Sequence, residues 1–166
     1  MKQLLFITLF LLSLTSCNND KEYNANARKT SDLILETASR CDILSEGYKS
    51  VWNSTLTGGF YRDKYYSDFS SAIYALRSEI DSLGFIKEVD RNISEIDSLM
   101  NLLAKPSDNT KATYENVLDM YSNLKQYYSL IDNPKGSLLS YSKQCQDISE
   151  NIKGNSEKVN IRTKPN

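Results

Sequence analysis

Apolar residues recur at alternating intervals of three and four along most of this chain, which is the spacing that places side chains on one face of an α-helix. The first such stripe comprises Ile34, Ala38, Cys41, Leu44, Tyr48, Val51, Trp52 and Thr55. No segment shows an alternating pattern of period two bounded by turn residues, so we do not expect a sheet. The pattern predicts an all-α fold.

Glycine and proline residues divide the pattern into segments. Helix breaks are predicted at Gly58 and Gly59, at Pro106 and at residues 133–136 (Asn-Pro-Lys-Gly). Gly84 also interrupts a stripe, but a lone glycine costs about 1 kcal/mol in a helix and need not end it. Two helices with a tight bend or one long bent helix are both compatible, and we favour the continuous helix because no second breaker accompanies Gly84. The expected architecture is an antiparallel bundle of four to five helices.

The chain begins with a short basic and apolar segment. Lys2 precedes an apolar run from Leu4 to Leu14 that only Thr8 and Ser13 interrupt. A helix of that length covers roughly 16 Å, about half of a hydrocarbon core of about 30 Å. We therefore interpret the segment as a secretory signal and not as a permanent membrane span.

The end of this segment is more specific. Leu14-Thr15-Ser16-Cys17 resembles the lipobox of bacterial lipoproteins, in which a branched apolar residue and two small residues precede a cysteine. The resemblance implies cleavage before Cys17, diacylation of its sulfur and, usually, acylation of its new amine. The alternative is an ordinary secretory signal with a chance cysteine. Two or three acyl chains anchor a protein stably, whereas one holds it only marginally.

The residues after Cys17 carry a second resemblance. Residues 18–22 (Asn-Asn-Asp-Lys-Glu) look like the acidic tether that accompanies export to the outer face of the outer membrane in lipoproteins of the Bacteroidetes group. The resemblance implies an outer-membrane lipoprotein of the bacterial cell envelope, either surface-exposed or facing the periplasm. We expect a signal peptide at 1–16, a polar tether at 17–27, a helical bundle at 28–153 and a flexible polar tail at 154–166.

Composition excludes several functions. Removal of residues 1–16 leaves 150 residues, the size of one domain, with 19 basic and 21 acidic side chains because only Lys2 is lost. A nucleic-acid binder needs a concentrated basic surface, so we expect no nucleic-acid partner. The absence of histidine removes the commonest general base and metal ligand, and we expect neither a metal nor a cofactor. No later stretch is apolar enough to span a bilayer, so the acyl chains are the only predicted membrane contact.

Two further cysteines, Cys41 and Cys145, fall on apolar helix faces. In an oxidising envelope they could form a disulfide, but free cysteines also pack as small hydrophobic residues. Two thiols without histidine are too few ligands for structural zinc.

Eleven tyrosines are the most unusual feature of the composition. Five of them lie in phase with apolar stripes and are expected in the core or at its rim, with hydroxyls that reach water at the bundle edge. These five are Tyr48, Tyr114, Tyr121, Tyr128 and Tyr141.

A separate aromatic cluster, Phe60, Tyr61, Tyr65 and Tyr66, follows Gly58 and Gly59 in a predicted loop or helix entry. These side chains could bind a partner, or they could form a hydrophobic plug that closes one end of the bundle, which we favour.

Two short patterns, Asp81-Ser82-Leu83 and Asp97-Ser98-Leu99, resemble the acceptor for O-glycosylation of exported Bacteroidetes proteins. The resemblance makes Ser82 and Ser98 candidate modification sites. Both serines fall inside predicted helices, and the leucine that follows each is expected to lie near the helix seam.

No pattern of residues indicates catalysis. Carboxylates such as Glu88 and Asp97 occupy predicted outer helix faces, and no nucleophile elbow or phosphate-binding glycine loop occurs. We therefore expect a membrane-anchored envelope lipoprotein that acts as a non-catalytic binding module for another envelope or extracellular macromolecule, an envelope protein in the first instance. The alternatives are a structural or protective lipoprotein, of the spacer or immunity type, and a hydrolase that uses acidic residues alone.

Overall fold

A computed structural model describes residues 2–66 and 68–164, with side chains described from Asn19 onward except that of Phe60. Within these residues the chain forms five helices and one two-stranded hairpin. The elements are α1 (Lys2–Thr57), β1 (Phe60–Tyr61), β2 (Lys64–Tyr65), α2 (Phe69–Ser82), α3 (Phe85–Leu103), α4 (Lys111–Asp132) and α5 (Leu138–Arg162). The predicted all-α bundle is confirmed, and the short hairpin is an element that the sequence analysis did not predict.

Helix α1 contacts each of the other four helices. The Tyr23 hydroxyl donates to the Leu103 carbonyl at the end of α3 (2.9 Å), and Arg40 pairs with Glu88 near the start of α3 (2.7 Å). Helix α3 is therefore antiparallel to α1. Helix α2 packs on the remaining C-terminal part of α1, so that α2 and α3 together form one leg of the bundle.

Helices α4 and α5 pack against each other and against α1. The Ser31 hydroxyl lies 3.2 Å from Ser156 Oγ near the end of α5 and 3.5 Å from Met120 Sδ in α4. Later in α1, Ser45 Oγ lies 3.2 Å from Tyr127 Oη. Helix α4 is thus parallel to α1 and α5 is antiparallel, so that the legs of the bundle alternate in direction.

The core lies where the apolar stripes meet. All eight stripe positions of α1 except Thr55 are buried. In α4 the buried face carries Val117, Met120, Leu124 and Tyr127. This face is rotated about the helix axis relative to the stripe predicted for the helix, which contains Tyr114, Tyr121 and Tyr128. The rotation arises because α4 packs on α1 and α5 at once, while the α2–α3 leg reaches it mainly through long polar side chains.

The predicted continuous helix through Gly84 is wrong. Helix α2 ends at Ser82, Gly84 has φ +74°, and α3 begins at Phe85. The Gly84 amide donates to the Asp81 carbonyl (2.9 Å), and the Leu83 amide donates to Glu79 (3.2 Å). A helix cannot continue through a residue in the left-handed region, so this one glycine both ends α2 and starts α3.

Replacement of Gly84 by alanine is expected to lower the free energy of unfolding by about 1–2 kcal/mol, because an L-residue is strained at this φ. A Cβ at Gly84 would meet no atom within 4 Å, so the cost is conformational and not steric. Gly154 is the matched control, since it lies inside α5 with equally open space. Gly154→Ala should raise stability by about 0.5–1 kcal/mol. Urea denaturation measures both, and effects of equal sign would contradict the assignment of a bend at Gly84.

The predicted polar tether at 17–27 is wrong from Asp20 onward. The Asp20 carboxylate accepts hydrogen bonds from Ser107 Oγ (2.8 Å) and Asn109 Nδ2 (2.9 Å), and Ala27 is fully buried. The side chain of Cys17, the predicted lipidation site, is not among the described side chains. In the part of the chain that the structure describes, no helix is both long enough and apolar enough to cross a membrane.

The predicted flexible tail at 154–166 is also wrong for most of its length. Helix α5 continues to Arg162, with Ser156, Val159 and Thr163 buried. Arg28 Nε donates to Thr163 Oγ1 (3.3 Å), which ties this segment to α1. The bundle domain therefore extends on both sides of the predicted 28–153, and Pro165 and Asn166 lie outside the described residues.

Candidate functional site

Two regions of the surface have shapes and side chains suited to binding. The first, here called the polar cleft, is a cleft of about 410 Å³ between α1 and α5, with a residue of α4 at its base. Its principal polar side chains are Asp42, Glu46, Lys49, Tyr127, Ser149 and Lys153. The second is the aromatic hairpin formed by β1 and β2.

Asp42 organises the base of the polar cleft. Tyr127 Oη donates to Asp42 Oδ1 (2.6 Å), and Ser149 Oγ donates to Oδ2 (3.0 Å). Lys153 Nζ lies 3.5 Å from the same Oδ2. Burial, followed by the hydrogen bond to Asp42, raises the pKa of Tyr127 above its ordinary value, so its hydroxyl stays a neutral donor. Both oxygens of Asp42 are thus held by neighbouring side chains.

The other carboxylates of the cleft also accept hydrogen bonds. Glu46 accepts from Lys49 Nζ (2.7 Å), and Glu150 accepts from Gln146 Nε2 (2.8 Å). A glycosidase pair needs two opposed carboxyl groups, one of them kept protonated by an apolar setting. The cleft offers instead a polar surface that carries both signs of charge. In the part of the chain with described side chains, no group of three acidic or cysteine residues has a geometry that could hold a metal ion.

Cys41 and Cys145 are free, buried thiols beside the cleft, and the disulfide alternative is not realised in the structure. Burial raises the pKa of Cys41 to about 12, with smaller contributions from Asp42 and Cys145. Burial also raises the pKa of Cys145. Because the thiolate is the reactive form, both residues act here as small core side chains.

Three tyrosines are fully buried between these helices, namely Tyr48, Tyr127 and Tyr141. The Tyr48 hydroxyl has no hydrogen-bond partner among the described residues, and the polar neighbour of the Tyr141 hydroxyl is the Cys145 thiol. Burial raises the pKa of both, and for Tyr141 the neighbouring Cys145 adds to the shift. The expectation that their hydroxyls reach water at the bundle edge is therefore wrong.

The other three stripe tyrosines, Tyr114, Tyr121 and Tyr128, are half-buried at the rim, as expected. Tyr121 donates to Asp97 (2.7 Å), and Tyr128 donates to Asp90. Sequence reasoning missed Tyr127. Its spacing of seven residues from Met120 is the signal that could have placed it on the buried face.

The two strands of the aromatic hairpin are joined by a two-residue loop. Phe60 pairs with Tyr65 and Tyr61 pairs with Lys64, which leaves Arg62 and Asp63 as a two-residue connection. Both have positive φ, 48° and 63°, as the central residues of a type I′ turn do. Glycine, asparagine and aspartate are the usual residues there, whereas Arg62 costs roughly 1–2 kcal/mol in this conformation. The turn is therefore strained, and the predicted loop or helix entry is a hairpin.

The aromatic side chains of the hairpin divide between inside and outside. The rings of Tyr61 and Tyr66, with centroids 6.4 Å apart, pack against the core as the favoured plug predicts. Tyr65 lies against Gly59 and is 67% exposed. The side chain of Phe60 lies outside the described residues. The outward-facing residues of the hairpin are thus Tyr65 and the charged turn.

The two candidate glycosylation sites are both exposed. Ser82 Oγ donates to the Glu79 carbonyl (2.6 Å) at the last residue of α2, whereas Ser98 Oγ donates to Ser94 (3.1 Å) inside α3. Leu83 is exposed and Leu99 is buried. Modification of either serine stays a prediction.

These features define an all-α bundle with a polar cleft on one side and a strained aromatic hairpin at one end. Comparison with protein-family models, with curated proteins and with solved structures gives no match.

Proposed function

We propose that the protein is a lipoprotein of the bacterial cell envelope, anchored by acyl chains on Cys17, that binds another envelope protein through its hairpin and performs no chemistry of its own. The observation that carries the binding role is the two-residue turn, which holds Arg62 in strained backbone and presents the charged Asp63 beside the exposed Tyr65. The anchor rests on the lipobox resemblance of residues 14–17.

Strain at this turn supports a functional role. Backbone outliers persist where the surrounding structure fixes them, and they cluster at binding and switch sites. The Arg62 guanidinium lies 5.7 Å from the Tyr61 ring centroid and pairs with Glu79, which fixes the turn on α2. An asparagine–glycine turn would give the same hairpin with less strain. The ion pair with Glu79 accounts for Arg62, whereas Asp63 is exposed and forms no salt bridge with a described residue, so its charge is better explained by contact with a partner.

The position of the hairpin also supports this role. It follows the C-terminal end of α1, about 55 Å from Asp20 at 1.5 Å per helical residue. A domain confined to a membrane surface has a raised effective concentration toward any neighbour in that membrane. The hairpin would therefore meet partners well away from the lipid.

A structural spacer is the second candidate, and the uninterrupted length of α1 favours it. A spacer requires the helical leg but not the hairpin side chains. The hydrolase alternative has less support, because the cleft carboxylates are all held by hydrogen-bond donors.

Replacement of Cys17 by serine is expected to abolish membrane retention, because the acyl chains are the proposed anchor. Fractionation of cells that express the full chain measures retention, and mass spectrometry of the N-terminal peptide reports the acyl groups. Cys41→Ser and Cys145→Ser are matched controls that should leave retention unchanged. An unmodified Cys17 on a freely secreted protein would refute the anchor.

Replacement of Tyr65 by alanine is expected to remove most of the crosslinked partner recovered from intact cells. Tyr74→Ala is the matched control, since Tyr74 on α2 is 76% exposed and lies outside the hairpin. Asp63→Gly should change stability by no more than about 0.5 kcal/mol, because both residues tolerate positive φ, while it weakens crosslinking because it removes the charge. Unchanged crosslinking in both hairpin variants would favour the spacer.

A further inference from the structure

We infer that one end of the bundle, made of residues 19–23, 102–111 and 160–164 and here called the proximal end, lies directly on lipid headgroups, so that the bundle stands end-on at the membrane. This inference rests on the proposed acylation of Cys17. It replaces the flexible tether expected from the sequence with a rigid attachment, and it assigns a lipid surface as the binding partner of this end.

The stretch of chain between the acylated Cys17 and the bundle is very short. Only Asn18 and Asn19 separate Cys17 from Asp20. Three residue steps span at most about 11 Å even when fully extended. Asp20 is fixed to the loop between α3 and α4 by its hydrogen bonds from Ser107 and Asn109. The Asp20 backbone must therefore lie within about 11 Å of the Cys17 backbone, whatever the conformation of the linking residues. The loop lies only one side chain and one hydrogen bond beyond Asp20.

The residues after Asp20 provide no hinge. Tyr23 bonds to the last residue of α3, and Ala27 is fully buried. Arg28 donates to both the hydroxyl and the carbonyl oxygen of Thr163, just after α5. Helix α1 is thus held to α3, to the α3–α4 loop and to the end of α5 within its first turns after the anchor. Any hinge between the lipid and the bundle is therefore confined to residues 17–19.

The charge of the proximal end suits an anionic lipid surface. It carries five cationic and three acidic side chains, whereas the other 14 cationic and 18 acidic side chains of the chain without residues 1–16 give the opposite sign. The cationic residues are Lys21, Lys105, Lys111, Arg162 and Lys164. None of the five forms a salt bridge with a described residue. Cations near a membrane surface are attracted to anionic headgroups.

Two large apolar side chains are exposed at the same end. Leu102, next to the last residue of α3, is 64% exposed, and Ile161 in the last turn of α5 is 68% exposed. Exposed apolar side chains among cations are typical of surfaces that contact the headgroup region. Seated in this way, the bundle would hold the aromatic hairpin about 55 Å from the membrane.

The test uses the full-length acylated chain in vesicles of phosphatidylethanolamine and phosphatidylglycerol that contain a headgroup spin-labelled lipid. A fluorophore is attached at Leu102→Cys, Ile161→Cys or Leu139→Cys. Leu139 is the control, because it is 81% exposed at the start of α5, at the opposite end. Cys41 and Cys145 are buried thiols with raised pKa and should not compete for the label. Mass spectrometry of Cys17 accompanies each sample.

Quenching by the spin label is expected to be several-fold stronger at positions 102 and 161 than at 139. Equal quenching at all three positions on an acylated protein would overturn the end-on arrangement and leave the proposed anchor intact. Stronger quenching at 139 would overturn it as well. An unacylated Cys17 would refute the anchor, and the end-on arrangement with it.

Discussion

Replacement of Trp52 by alanine is expected to lower the free energy of unfolding by about 3–5 kcal/mol, the cost of removing a large buried aromatic side chain. The buried indole ring stacks on Phe69, with centroids 3.8 Å apart and planes at 27°, and a tilted contact joins it to Tyr141 at 5.7 Å. These contacts join α1, α2 and α5 at the end that supports the hairpin. No other side chain described at this end joins these three helices through ring contacts.

The loss would be a large part of the 5–15 kcal/mol that stabilises a typical domain. Since Trp52 is the only tryptophan, urea denaturation should be followed by far-ultraviolet circular dichroism and not by fluorescence. Tyr74→Ala is the control, because substitutions of exposed side chains usually change stability by no more than about 0.5 kcal/mol. A loss below about 1 kcal/mol for Trp52→Ala would show that this stack does not hold the hairpin end together.

Replacement of Tyr127 by phenylalanine is expected to lower the free energy of unfolding by about 1–3 kcal/mol. The buried Tyr127 hydroxyl donates to Asp42 at 2.6 Å and lies 3.2 Å from Ser45 Oγ. Its removal leaves a carboxylate oxygen of Asp42 without its shortest hydrogen bond, at the base of the polar cleft. The Asp42 side chain is one-third exposed in the cleft, so water replaces part of the lost hydrogen bond and the expected loss lies toward the lower end of that range.

Tyr48→Phe is the matched control for this substitution. The Tyr48 hydroxyl is fully buried without a partner among the described residues, so its removal relieves a desolvation cost. The control should leave stability unchanged or raise it, and urea denaturation of the two variants gives the comparison directly. Destabilisation by both to the same extent would mean that van der Waals contacts of the hydroxyl, and not the hydrogen bond to Asp42, decide the effect.

Much of the bundle follows from the chain alone. The stripe through Ile34, Leu44 and Tyr48 fixes the buried face of α1, because a helix can bury only one side of such a pattern. Pro106 and residues 133–136 lie between the helices, as the break signals predict. Gly84 shows where local reasoning stops, since the same glycine is compatible with a bent helix and with the left-handed turn that the structure adopts.

Polar segments were the main source of error. Asp20, Ser156 and Thr163 carry no apolar signal, and the sequence analysis therefore placed them in a tether and a tail. In the structure they bond to or pack against residues far away in the chain, as Ser156 does with Ser31. The polar cleft has the same origin, because Asp42, Tyr127 and Ser149 meet only when three helices pack together.

The sequence by itself determined the helical class and most of the helix boundaries. It also predicts a lipid anchor at Cys17. The tertiary structure alone decided the bend at Gly84, the rigid connection after Asp20, the polar cleft and the strained turn at Arg62 and Asp63. The physical reason is that periodicity records which face of each helix is apolar. Hydrogen bonds of polar residues and the register between helices depend instead on partners distant in sequence, which no local pattern specifies.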